Sequence, residues 1–258
     1  MGAMALIRQS FMDADWYRIS REVYERNPFG KTPVEDNEAL TALVMAVQGQ
    51  QPFLISVDND QSFLRAAKVA SEFGLKTWIK GSGLEYHQID LIKATGIPVI
   101  LPVTFPQSRD LDVATVEEAL EVSLETLRHW EAAPENPGRL QKAGIPFALT
   151  TTGLKKQSDF AVRVREAIER GLGYDAALAA VTTTPAQILD MRDRLGTIEP
   201  GKLAHLTVTD GPLFAENVKV RDVWIDGRRY EVTPQPPADP RGKWQVTLQT
   251  PDSSPITA

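Results

Sequence analysis

The stretch Pro52–Ser82, PFLISVDNDQSFLRAAKVASEFGLKTWIKGS, decides the fold. It opens on a short apolar run, PFLISV, and continues into DQSFLRAAKVASEFGL, where Phe63, Ala66, Ala67 and Ala70 recur at helical spacing and Gly74 supplies a stop. A second apolar run, KTWIKG, follows at once. Strand, helix and strand joined by short connections make a right-handed βαβ unit, and such units build a parallel sheet clothed by helices.

The same grammar continues in both directions. Downstream, LEYHQIDLIKATG reads as a helix and IPVILPV as a third strand, apolar on both faces as a covered parallel strand should be. A loop with Phe105 and Pro106 leads to one long predicted helix, VATVEEALEVSLETLRHWEAA (Val113–Ala133); PENPGRLQKAG adds a turn and a short helix, and IPFALTT a fourth strand. DFAVRVREAIERGLG and YDAALAAVTTTPAQILDM are helical. Upstream, helices are predicted over Ala3–Tyr24 and Asp36–Val47. From Gly196 the pattern changes to strand-like segments separated by Gly and Pro turns, so a small β unit follows. TPQPPADPRG is a Pro-rich linker, and PDSSPITA is expected to be disordered.

The chain has 258 residues, 42% hydrophobic and 24% charged, the profile of a globular chain with a sizeable core. Its net charge of −6, with lysines and arginines scattered, argues against nucleic acid and anionic membranes as partners and leaves a small-molecule substrate. Without cysteine there is neither a disulfide nor a thiolate metal site. No apolar run reaches the roughly 20 residues a membrane span needs, and Arg8, Asp13 and Asp15 interrupt any signal-peptide core. These features favour the cytoplasm.

Near the carboxyl end, AALAAVTTTPAQILDMRDRLGTIEPGKLAHLTVTDG and VKVRDVWIDGRRYEV resemble the carboxyl-terminal signature of the amidohydrolase superfamily, with its Thr-x-x-Pro-Ala step and Leu-Gly-x-Ile-x-x-Gly-Lys-x-Ala-Asp run. The resemblance covers about Phe53–Glu231 and implies the late strands of a (β/α)8 barrel. It further implies a hydrolase with one or two divalent ions such as zinc at the strand ends, activating water. The implied ligands are a His-x-His pair, histidines ending the fifth and sixth strands and an aspartate ending the eighth. The chain departs from that pattern: it has no His-x-His, and Ser56, Lys80 and Thr152 stand at the other three places. Hydroxyls and an ammonium make a poor site for a divalent ion, so the expected metal is none. His205 replaces the aspartate of the Lys-x-Ala-Asp step.

The candidate catalytic residues are Lys80, Ser56, Asp58 and His87. Lys80 ends a strand before Gly81-Ser82-Gly83, and a desolvated lysine there is a base or nucleophile. Ser56 and Asp58 end the first strand, although Asp58 and Asp60 also read as helix caps. His87, one turn into the next helix, is an acid or base. Ser82, in a loop able to offer backbone N–H groups to an anion, and Thr152 are the candidate substrate-binding residues.

Together these readings predict an α/β fold: a partial (half) TIM-type (β/α) barrel over residues 1–195, a small β-sandwich-like unit over 196–233, and a Pro-rich linker and tail with one possible strand over 234–258. Four strands cannot close a barrel of eight, and the economical repair is a homodimer or higher homo-oligomer. The expected function is hydrolysis of an amide, ester or phosphotriester-like bond in a site completed by a second chain. The alternative is a catalytically silent scaffold or interaction module derived from, or a fragment of, a longer amidohydrolase.

Overall fold

The computed structural model describes residues 2–107, 113, 115–234, 247–248 and 256–257. Two helices come first, α1 (Ala3–Arg26) and α2 (Glu38–Val47). The alternation then runs β1 (Phe53–Ser56), α3 (Asp60–Glu72), β2 (Thr77–Lys80), α4 (Ile89–Thr95) and β3 (Val99–Pro102). After β3 come α5 (Val116–Glu121), α6 (Leu124–Ala132) and α7 (Asn136–Ala143), then β4 (Phe147–Thr150), α8 (Phe160–Glu169), α9 (Tyr174–Ala179) and α10 (Thr183–Ile188).

The four strands form one parallel sheet in the order β1-β2-β3-β4, as the repeated βαβ pattern requires. The sheet is unequally covered. Thr77 and Ile79 of β2, Val99 and Leu101 of β3 and Phe147 of β4 are buried, and helices pack on this side. Phe53 belongs to the same face and joins Phe11, Val69, Ala70 and Leu75 in a cluster that ties α1 and α3 to β1. The opposite face is bare toward β1, where Leu54 is 56% exposed and Ser56 exposed, partly covered at Trp78, Lys80 and Ile100, and buried at Pro102 and Ala148. β1 is an edge strand, whereas β4 is met at Ala180, whose carbonyl accepts from Leu149 N at 3.0 Å.

Local sequence chemistry places the boundaries, with two corrections. The cap of α3 is Asn59, not Asp58 or Asp60: Asn59 is extended and its Oδ1 accepts from Ser62 N at 2.8 Å, while Asp60 is already helical. The single helix expected over Val113–Ala133 is two. Thr115 and Glu118 form a reciprocal capping box on α5, the chain turns extended at Val122 (ψ 125°), and Ser123 Oγ caps α6 by accepting from Thr126 N. Two good capping residues in one amphipathic run start two helices where periodicity alone reads one.

The chain divides into two compact units, Met1–Leu203 and Ala204–Ala258, where the sequence reading put its boundary at 195/196. In the second unit β5 (Leu206–Thr209), β6 (Val220–Ile225) and β7 (Arg228–Glu231) form an antiparallel sheet. The β6–β7 hairpin turns through Asp226 and Gly227, both at positive φ, as a two-residue Asp-Gly turn demands. His205 Nδ1 accepts from Asp226 N at 3.1 Å, so this side chain holds the hairpin. Residues β8 (Thr247–Leu248) and β9 (Ile256–Thr257) pair antiparallel; the Pro-rich linker from 235 to 246 lies outside the described residues.

Candidate functional site

In parallel α/β folds, site residues collect at the carboxyl ends of the strands. Here the register puts Ser56 beside Lys80, and Lys80 beside Ile100, in one row across the sheet. Residues paired in register share a face, so Ser56 and Lys80 stand together on the less covered side, with Val57 N donating to the Lys80 carbonyl. One layer further, Pro102 pairs with Thr150, which therefore belongs to that same face.

Thr152 lies beyond the end of β4. Its hydroxyl is 2.9 Å from that of Thr150, and its N–H donates to Thr150 Oγ1 at 3.2 Å. The threonines thus satisfy one another at the strand end. Asp58 is exposed and sits between the end of β1 and the cap of α3.

The loop after β2 is not the open anion cradle that its Gly-Ser-Gly composition suggests. Glu85 is fully buried and fills it: Oε1 accepts from Ser82 N at 2.7 Å and from Gly83 N at 3.2 Å, and Oε2 accepts from Asn136 Nδ2 at 2.6 Å. A buried carboxylate needs such partners, and here the protein's own anion occupies the donors. Gly81 is required beside it, because a Cβ there would collide with Glu85 Oε1 and lie 2.8 Å from its Cδ. Asn136 Oδ1 is buried without a hydrogen-bond partner among the described residues.

His87 is drawn into a separate group. Its ring packs on Tyr86 with centroids 4.3 Å apart, and its Nδ1 is 3.8 Å from Asp60 Oδ2. The Tyr86 hydroxyl is 2.9 Å from His129 Nδ1, the two rings stack at 6.0 Å, and Arg139 lies 5.6 Å from the Tyr86 ring centre. Tyr86, His87, Arg139 and Ser82 line one side of an open cavity of about 820 Å³, and α6, which carries His129, bounds the other. Burial holds the His129 imidazole below its ordinary range, and the nearby His87 adds to that. Burial likewise pushes the Tyr86 hydroxyl up. Both groups are accordingly uncharged near neutral pH and share a neutral hydrogen bond.

The predicted residues therefore form two groups. Ser56, Lys80 and Thr152 are at the strand ends; Ser82 and His87 belong to the cavity, and Lys80 does not line it. Tyr86, Asn136 and His129 are not among the residues that the sequence singled out. A Glu two residues after the Gly-Ser-Gly run was the available signal. Among the described residues, no three His, Cys, Asp or Glu side chains are placed to hold a metal ion. The chemistry of the strand-end donors, two hydroxyl residues and an ammonium, does not fit a divalent cation.

A parallel sheet clothed by helices, with polar residues at its carboxyl ends, defines the class as α/β. Residues 146–230 match the family model described as "Amidohydrolase family". "Amidohydrolase tasK" of Hapsidospora irregularis is 38% identical over 86 residues, 33% of this chain and 9% of that protein. The amidohydrolase from Thermotoga maritima MSB8 superposes with a TM-score of 0.73 at 25% identity, covering 90% of this chain and 56% of that one. A Xaa-Pro dipeptidase solved with methionine in its active site shares the fold, at a TM-score of 0.56 and 20% identity over 75% of this chain and 48% of its own. Over residues 146–230 the chain is thus similar to the amidohydrolases, and it spans about half the length of these solved structures. No helix among the described residues is long and apolar enough to cross a membrane.

Proposed function

We propose that this chain is half of an amidohydrolase-type hydrolase, cleaving an amide, ester or phosphotriester-like bond at the carboxyl ends of β1–β4, in a site completed by a second copy. The reading treats the four parallel strands as half of a (β/α)8 barrel. The observation that carries it is the one-sided sheet: helices cover the face of Ile79 and Val99, while the face that would line a barrel leaves Leu54 56% exposed and presents Ser56 and Lys80 side by side. In this role Lys80 is the nucleophile or base, activated when a second half removes water from around its ammonium. Ser56 is its hydrogen-bonding neighbour, Asp58 and His87 are polar groups at the rim, and Thr152 contacts substrate. No step is assigned to a metal, since the strand-end donors do not suit one.

The test is a screen of activated esters, anilides and phosphotriesters with and without chelator, using wild type and Lys80→Ala. Turnover that survives chelator and falls at least 100-fold in Lys80→Ala is expected, the loss typical of a removed nucleophile or base. Unchanged turnover in the variant removes Lys80 from the mechanism. A second reading, a catalytically silent scaffold or interaction module, is favoured by one observation: Thr150 and Thr152 bond to each other at the end of β4, and Glu85 takes the Ser82 and Gly83 N–H groups after β2, so those groups are already spent within the chain. Absence of turnover on every substrate class is its outcome.

A further inference from the structure

Beyond the strand ends, the cavity between the Tyr86 loop and α6 is lined in a way the hydrolase reading does not use. One wall is Tyr86 with Arg139 over its ring, and His129 reaches across from α6 to the Tyr86 hydroxyl. The other wall is α6, where Leu124, Arg128 and Ala132 recur every four residues beside Glu125 and His129. No residue of α6 is buried, and Leu124 is 60% exposed, so this face lacks the packing that usually holds a helix in place.

The charges are equally unbalanced. Arg139 is already engaged, pairing with Glu135 at 2.9 Å and lying over the Tyr86 ring. Arg128 makes no ion pair or hydrogen bond among the described residues, and the cavity wall offers one carboxylate, Glu125, beside two guanidiniums. His129 spends Nδ1 on Tyr86 and keeps its second ring nitrogen for a ligand.

We propose that this cavity binds a small carboxylic acid with a flat apolar body, its carboxylate held by Arg128 and the second nitrogen of His129, its body between Leu84, Leu124 and the Tyr86 ring. A guanidinium and a neutral N–H are suited to a carboxylate, and an aromatic face with leucines opposite is suited to a planar apolar group. The occupant supplies α6 with the packing partner it lacks. The proposal stands apart from hydrolysis and is read by binding alone.

Isothermal titration with benzoate is the test, with benzamide to remove the charge and inorganic phosphate to remove the apolar body. Saturable benzoate binding is expected, with at least tenfold weaker binding of benzamide and of phosphate. Arg128→Ala should weaken benzoate at least tenfold; Arg128 is exposed, so its removal leaves the fold intact, which circular dichroism checks. Benzoate should also shift the His129 ring signals in nitrogen-resolved NMR without shifting those of His205. The proposal is overturned by absence of saturable benzoate binding up to millimolar concentration, by Arg128→Ala binding as wild type does, or by phosphate binding as tightly as benzoate.

Discussion

Glu85 shows how one side chain decides what a loop can do. Its carboxylate is out of water, yet it accepts three hydrogen bonds, from Ser82 N, Gly83 N and Asn136 Nδ2. Replacing it by alanine strands three buried or half-buried donors, each of which costs about 1–3 kcal/mol when left unpaired. Glu85→Ala is therefore expected to lose about 3 kcal/mol of unfolding free energy, measured by urea denaturation, and to speed hydrogen exchange at Ser82 and Gly83. A loss under 1 kcal/mol with unchanged exchange would show that the carboxylate does not pin this loop. The Gly-Ser-Gly composition was legible in the sequence, but it pointed to an external anion. That the anion is internal follows from the chain folding Glu85 back onto its own turn, a matter of three-dimensional proximity.

At the scale of elements, caps and close approaches set the boundaries that hydrophobic periodicity blurs. The strands β1–β4 and helix α3 stand close to where apolar runs and helical spacing put them, because burial of one face imposes its period on the sequence. The break at Val122 was missed because both halves keep helical spacing while Ser123 and Thr115 act locally on backbone donors. Helix α7 depends on another local feature. A Cβ added at Gly138 would lie 2.8 Å from the backbone carbonyl carbon and oxygen of Gly171, so α7 meets the end of α8 at backbone distance. Backbone atoms on both sides leave no flexible side chain to give way. Gly138→Ala should cost about 1–3 kcal/mol, the range for overpacking, despite the gain in helix propensity; equal or higher melting temperature in thermal unfolding would refute that packing.

On the scale of the molecule, the question is what covers the β1 side of the sheet face that carries Leu54. Leu54 at 56% exposure, beside Trp78 and the open edge of β1, sits on a surface that a free monomer holds against water. Helix α1 adds Met12, Trp16, Ile19 and Val23, each at least 44% exposed and spaced four, three and four residues apart along one stripe. Surfaces of this kind support the second copy invoked for the complete site. Multi-angle light scattering at micromolar concentration is expected to give a dimer or larger assembly, and Leu54→Glu with Trp16→Glu should shift it toward monomer. A wild-type monomer across that range would leave the paired half-barrels without support.

Sequence periodicity was enough to establish four parallel strands with helices between them, since the burial of each element's apolar face is written in its spacing. The similarity to amidohydrolases, too, was readable from the Thr-x-x-Pro-Ala and Leu-Gly-x-Ile stretches. Which polar groups meet was left to the tertiary fold: Ser56 with Lys80 across a register, His129 with Tyr86 across 43 residues, Glu85 with Asn136 across 51. Spacing encodes the face on which a residue lies, whereas hydrogen bonds reach only about 3 Å and depend on how distant elements pack, a relation no local pattern carries.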